Sequence, residues 1–124
     1  MRKLFLAIVF LVMPVLSSAD DHTAIVEFWK CELKDGATME AVEANNKKWL
    51  AATRKAAGSD DVNSYLMTTI VGDQTAFWFA DAYPDMSAWS AANEEMSDEL
   101  KAIEATFEEL MDCSDNRLYK STKH

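Results

Sequence analysis

Residues 64–83, SYLMTTIVGDQTAFWFADAY, contain two apolar runs on either side of a Gly-Asp pair. Runs rich in aromatic and β-branched residues that flank a short glycine-containing turn are typical of a β-hairpin. The stretch therefore predicts strands over residues 64–71 and 75–83, with the turn at Gly72 and Asp73.

The second strand of this hairpin has two unequal faces, since successive side chains of a strand point to opposite sides of the sheet. One face carries the large side chains of Phe77, Phe79, Asp81 and Tyr83. The other carries alanines and Trp78, and small residues admit a closely packed helix. We therefore expect the face with Phe77 and Phe79 to be covered by something outside the protomer.

The elements before and after the hairpin complete the fold. Residues 24–33 read as a strand, and a helix is expected from Thr38, a favourable N-cap, to Gly58, a favourable C-cap. A second helical region starts at Asp85, and residues 97–99 mark a kink or a second start. A short strand over residues 116–121 follows.

The order β-α-β-β-α-β is that of the ferredoxin-like fold, which has a four-stranded antiparallel sheet with helices on one face. The class is therefore α+β. A lone sheet of this kind exposes one face to water, and a large exposed apolar patch usually marks an interaction surface. We therefore expect the sheet face to pair in a homodimer.

The N-terminus, MRKLFLAIVFLVMPVLSSA, has the three parts of a secretory signal peptide. Arg2 and Lys3 form the basic start, residues 4–16 form the apolar stretch, and small residues precede Ala19. The alternative is a membrane anchor, but the apolar stretch is shorter than the about 20 residues that cross a bilayer. We expect residues 1–19 to be cleaved and residues 20–124 to form one exported domain, periplasmic or secreted, without a membrane segment.

Cys31 and Cys113 are the two cysteines of the chain. Disulfides persist in exported proteins, and an even number of cysteines favours pairing. In the predicted topology the end of the first strand lies beside the start of the last, so the two cysteines come close together. The alternative is two separate thiols, whereas a redox pair usually has C-x-x-C spacing.

Charge and motifs exclude several functions. The net charge of −9 repels nucleic acid and anionic lipid headgroups. His22 and His124 belong to no spaced set of metal ligands, and no nucleotide-binding or hydrolase motif occurs. We therefore predict no metal site, no cofactor and no nucleic-acid partner.

Four other residues are candidates for chemistry. Glu27 and Asp81 are carboxylates in mostly apolar strands, where burial would raise a pKa and make a proton acceptor. The simpler interpretation is that they pair with Lys30 or Arg117. Asn46 falls in the apolar stripe of the first helix near Trp49, and it would either bind a ligand or have an ordinary hydrogen-bond partner.

Several segments resemble the dimeric α+β barrel superfamily: V-E-F-W at 26–29, K-D-G-A-T-M-E at 34–40, the hairpin, and Y-P-D-M-S-A-W at 83–89. Similar proteins include NIPSNAP-type proteins, stress-responsive barrel proteins and cofactor-independent monooxygenases of antibiotic biosynthesis. The resemblance implies a barrel closed by two sheets from two chains, with helices outside. It also implies that asparagine and tryptophan side chains, here Asn46 and Trp49, lie near a substrate.

Three functional classes remain open. The first is a protein that binds a small apolar ligand through Asn46, Trp49, Phe77 and Phe79, or a non-catalytic module. The second is a cofactor-independent monooxygenase- or isomerase-like enzyme that uses Glu27 or Asp81. The third is a subunit whose sheet face meets a different protein. A cavity with convergent polar groups favours a binding site or an enzyme, and a solidly packed face favours a module.

Overall fold

A computed structural model describes residues 23–124 of the chain. The elements are β1 (Thr23–Leu33), α1 (Met39–Ala57), β2 (Asn63–Thr68), β3 (Ala76–Tyr83), α2 (Met86–Asn93), α3 (Asp98–Leu110) and β4 (Met111–Thr122). The strands form one antiparallel sheet in the order β2-β3-β1-β4. This order confirms the predicted ferredoxin-like α+β class. The predicted signal peptide, residues 1–19, lies outside the described residues.

Caps set the bounds of α1 as the sequence predicts. The hydroxyl of Thr38 accepts a hydrogen bond from the Ala41 N–H at 3.2 Å. Gly58 ends the helix in the left-handed region at φ 63°, which glycine adopts without steric cost. Within residues 23–124, no helix is both long enough and apolar enough to span a bilayer.

The second helical region consists of two helices, α2 and α3, so the order of elements is β-α-β-β-α-α-β. The hydroxyl of Ser97 accepts a hydrogen bond from the Leu100 N–H at 3.2 Å and caps α3. The second start predicted at residues 97–99 is therefore confirmed. The break places Met96 in the connection between the two helices.

Two strand bounds differ by more than one residue from the predicted ones. β2 ends at Thr68, so Ile70 and Val71 lie in the exposed connection to β3 instead of in a strand. β4 begins at Met111, immediately after α3, instead of at residue 116. Residues 111–116 lack apolar alternation because β4 is an exposed edge strand. Without that alternation, the sequence did not identify the first half of β4 as a strand.

Cys31 and Cys113 form the disulfide that the sequence predicts. They are direct partners of the β1–β4 ladder, with Cα atoms 4.0 Å apart, next to a register shift between Lys30 and Cys31. The bond joins residues 82 positions apart in the sequence. In the chain-entropy model, a disulfide that closes a loop of this length restricts the unfolded chain and thereby stabilises the folded state by about 4 kcal/mol.

The expected cover of Phe77 and Phe79 by a partner is wrong, because both rings are buried within a single subunit at 4% exposure each. They lie on the helix-covered face, where the Phe79 ring contacts that of Phe107 with centroids 5.8 Å apart. The buried helix residues there include the small side chains of Ala52, Ala88 and Ala92. Large side chains from the sheet are therefore needed to fill the space to close-packed density.

The side of the sheet opposite the helices carries an apolar patch that no other element of residues 23–124 covers. We call it the open face, and its exposed or half-buried apolar residues are Val26, Phe28, Tyr65, Met67, Trp78 and Tyr119. The rings of Phe28 and Tyr119 pack edge to face with centroids 5.6 Å apart. Tyr65 is 59% exposed. Trp78 and Tyr119 extend the patch that Phe28, Tyr65 and Met67 form.

Candidate functional site

A cavity of about 570 Å³ lies between the helix-covered face of the sheet and the helices. We call it the helix-side cavity. Its lining comes from β1, α1, β3, α2, α3 and the start of β4, and consists of Glu27, Trp29, Lys34, Asn46, Trp49, Phe79, Asp81, Asn93, Met96, Glu104, Phe107, Glu108, Met111, Asp112 and Cys113. Aromatic and thioether side chains form much of the wall, and carboxylates converge on it.

Glu27 and Asp81 are direct cross-strand partners of β1 and β3. Their side chains point under the helices, and they are 3% and 6% exposed. Direct partners in an antiparallel ladder have Cβ atoms about 4.5–5.5 Å apart. The sheet register therefore places two carboxylates side by side in the cavity wall.

Each carboxylate has one hydrogen-bond donor from the described part of the chain. The Ser64 hydroxyl donates to Asp81 Oδ1 at 2.5 Å and accepts from Asn46 Nδ2 at 2.9 Å. The Asn116 amide donates to Glu27 Oε2 at 3.0 Å. Within residues 23–124, Asp81 Oδ2 and Glu27 Oε1 have no such donor, and no Lys or Arg nitrogen lies within 4.0 Å of either side chain.

Burial raises the pKa of Asp81 to about 7. The Ser64 hydrogen bond lowers this pKa, while the negative charges of Glu27 and Glu104 raise it. The pKa of Glu104 is also raised, chiefly by burial and by repulsion from Glu108, although a hydrogen bond with Trp49 opposes the shift. Protonation of these groups is therefore favoured at higher pH than for an ordinary carboxyl group.

Lys34 is the one basic side chain among the lining residues. Its ammonium lies 3.6 Å from Asp112 and donates a hydrogen bond to the Glu108 carbonyl oxygen. The charge of Lys34 is therefore held at the β4 side of the cavity. Among the described residues, no group of three or more His, Cys, Asp or Glu side chains is arranged to hold a metal ion.

Five of the six predicted site residues come together in this lining: Glu27, Asn46, Trp49, Phe79 and Asp81. Phe77 does not line the cavity, although it is buried beside Phe79 with ring centroids 5.8 Å apart. The roles of all six in binding or catalysis stay predictions. The simpler pairings proposed for the carboxylates are absent from the described residues, since Arg117 pairs with Asp115 and Lys30 lies over Trp78.

Sequence reasoning missed Glu104, Trp29 and Phe107, which complete the cavity. Glu104 lies beside Ile103 and three residues before Phe107, so it borders the buried stripe of α3. A carboxylate bordering an apolar helical stripe is a signal that could have identified it. Ser64 near the start of β2 and Asn116 in the middle of β4 are polar residues in partly polar strands and gave no such signal.

The fold is similar to that of several solved structures. A NIPSNAP family protein from Agrobacterium tumefaciens has a TM-score of 0.56 at 15% identity, with 77% of this chain and 90% of that chain covered. An uncharacterized NIPSNAP domain protein from Burkholderia xenovorans has a TM-score of 0.54 at 14% identity, with 81% and 94% covered. An antibiotic biosynthesis monooxygenase-like protein from Nitrosomonas europaea has a TM-score of 0.50 at 12% identity, with 83% and 91% covered.

These similarities confirm the predicted resemblance to NIPSNAP and monooxygenase-like proteins at the level of the fold. At such low identity they assign no activity to this chain. No protein-family model matches the sequence, and no curated protein is significantly similar to it.

The raised pKa of Asp81 predicts how stability depends on pH. Its ordinary value is 3.8 and its folded value is about 7, so between these values the folded state holds a proton that the unfolded state has lost. The free energy of unfolding should therefore fall as the pH rises through this window, by on the order of 4 kcal/mol at about 1.36 kcal/mol per pKa unit.

Asp81→Asn should remove this loss, because the amide keeps an acceptor for Ser64 and does not ionise. We expect the variant to gain stability relative to the wild type at pH 8 but much less at pH 5, as measured by urea denaturation. Asp60→Asn, at an exposed position, is the matched control and should give no such difference. Parallel pH profiles of the wild type and Asp81→Asn would contradict the prediction.

Proposed function

We propose that the helix-side cavity binds a small molecule with a mostly apolar body. The single observation that carries this proposal is the cavity of about 570 Å³ that joins aromatic walls to convergent carboxylates. Ligand sites typically have about 300–1,000 Å³, mostly apolar walls and a few polar groups that orient the ligand. Trp29, Trp49 and Phe79 supply the apolar contact, and Glu27 and Asp81 supply the polar groups.

A non-catalytic module explains the cavity less well. Such a module needs only solid packing between sheet and helices, and two apolar side chains would provide it more easily than Glu27 and Asp81. Buried carboxylates without full hydrogen bonding are costly to stability. A ligand that the two carboxylates contact would explain their position beside open space.

The neutral fluorescent probe N-phenyl-1-naphthylamine tests this binding. We expect saturable binding of one probe per chain, with quenching of the tryptophans in the wall. Met96→Trp should weaken binding at least tenfold, because the larger side chain fills part of the cavity that Met96 lines. Met86→Trp is the matched control, since Met86 is 47% exposed and does not line the cavity. Equal binding by the two variants, or no saturable binding by the wild type, would contradict the proposal.

An enzyme that abstracts a proton is the second candidate, and the pKa of Asp81 favours it. A general base works best when its pKa lies near the working pH, and that of Asp81 is about 7. Asn46 and Ser64 would hold its carboxylate in place. If solvent deuterium exchanges into a bound ligand with the wild type but not with Asp81→Asn, the result would support an isomerase-like or monooxygenase-like reaction. If no exchange occurs, the proposed function is limited to ligand binding.

We also propose that the open face pairs with a second copy of the chain. Phe28, Tyr65, Trp78 and Tyr119 lie together there, and burial of one such aromatic side chain contributes about 2–3 kcal/mol. Repulsion between two acidic chains is screened over about 8 Å in physiological salt. The resemblance to dimeric α+β barrels supports the same pairing.

Tyr65→Lys tests this interface. The wild-type domain should have the mass of a dimer by size exclusion with light scattering, and Tyr65→Lys should shift it to the monomer because a charge enters the apolar contact. Met86→Lys, at an exposed apolar position on α2, should leave the dimer intact. A monomeric wild type would contradict self-pairing and would direct the search to a different protein partner.

Export is part of the proposed function. Cleavage after Ala19 would release residues 20–124 as a single domain into the periplasm or the medium. The Cys31–Cys113 disulfide is consistent with an oxidising compartment.

A further inference from the structure

The charges in the helix-side cavity are strongly unbalanced. Five acidic side chains line it, namely Glu27, Asp81, Glu104, Glu108 and Asp112. The one basic lining residue, Lys34, is already engaged by Asp112 and by the Glu108 carbonyl oxygen. The part of the cavity at Glu27 and Asp81 therefore has no positive charge supplied by the described chain.

Two of these carboxylates are both deeply buried and incompletely satisfied. Glu27 and Asp81 are more than nine-tenths buried, and each presents one oxygen that has no donor from residues 23–124 and is not fully enclosed. A negative charge in this position is stabilised by a positive group close to it. A ligand that carries a positive charge would supply what the protein lacks.

The aromatic rings in the cavity wall also favour a ligand that carries a positive charge. Trp29, Trp49, Phe79 and Phe107 line the cavity together with the carboxylates. Aromatic faces attract organic cations, with tryptophan the most effective, and also contact an apolar body. A divalent metal ion fits this surrounding poorly, because it requires several ligands around one point, and no three or more His, Cys, Asp or Glu side chains of the described residues are arranged in this way.

We propose that the helix-side cavity selects organic cations, in which an ammonium group meets Glu27 and Asp81 and an apolar body packs on the aromatic wall. This inference rests on the proposed binding function and specifies its ligand class. Anionic molecules are excluded by repulsion from Glu104 and Glu108. Neutral molecules of the same shape bind more weakly because they leave the carboxylates uncompensated.

Two isosteric probes test the selectivity directly. Phenyltrimethylammonium and tert-butylbenzene have nearly the same shape and differ in charge. Binding of each at pH 8 is followed by NMR shifts of the tryptophan indole N–H signals, among which those of Trp29 and Trp49 report on the cavity wall. We expect the cation to bind the wild type at least tenfold more tightly than the neutral isostere.

Variants that remove charges test whether Glu27 and Asp81 cause the preference for the cation. In Glu27→Gln/Asp81→Asn the preference for the cation should fall to about one, while the neutral isostere still binds, which also shows that the cavity is intact. Glu43→Gln/Asp60→Asn removes the same charge from exposed positions and should keep the wild-type preference.

Each other outcome overturns a defined part of the proposal. Equal binding of the two probes, or tighter binding of tert-butylbenzene, refutes cation selectivity but leaves the binding function standing. A preference that persists in Glu27→Gln/Asp81→Asn shows that the general acidity of the surface causes it, and refutes the assigned site. Binding of neither probe refutes both this inference and the proposed binding function.

Discussion

The cross-strand pairing of Glu27 with Asp81 on the helix-covered face is the constraint on which the site depends. Sheet register puts both carboxylates under the helices, where no basic side chain from the described residues forms an ion pair with either. Helices cannot close tightly over two such groups without a large desolvation cost. An open cavity beside them, and a pKa of about 7 for Asp81, are the physical consequences.

The rest of the sheet fixes this arrangement in place. The disulfide joins β1 to β4 at Cys31 and Cys113, and Cys113 belongs to the cavity wall with Met111. On β2, Ser64 links Asp81 to Asn46 of α1 through two hydrogen bonds. Side chains from several elements thus hold one carboxylate at a defined position, as a binding or proton-transfer site requires.

Much of the fold could be predicted because its signals are local. Thr38, Gly58 and Ser97 mark helix ends through hydrogen bonds within a few residues, and Gly72 marks the hairpin turn. The disulfide followed from the predicted topology together with the even number of cysteines. Glu27 and Asp81 stood out because a carboxylate in an apolar strand is costly wherever its face is buried.

The sequence of β3 alone could not predict which side of the sheet the helices cover. Alternation separates Phe77 and Phe79 from Trp78, but it does not say which set meets the helices. That choice is decided by side chains on other elements, such as Ala52 and Ala88, whose small size leaves room for large rings. Glu104 was missed for a related reason, since its distance from Asp81 depends on how α3 packs on the sheet.

The most direct measurement of the central constraint is a carboxyl carbon NMR titration of the protein, with the Asp81 signal assigned from the Asp81→Asn variant. We expect this signal to titrate with a midpoint near 7, because the carboxylate is buried beside Glu27 without a positive partner. A midpoint near the ordinary aspartate value of about 4 would contradict this account. It would show that Asp81 is solvated or compensated in the folded protein.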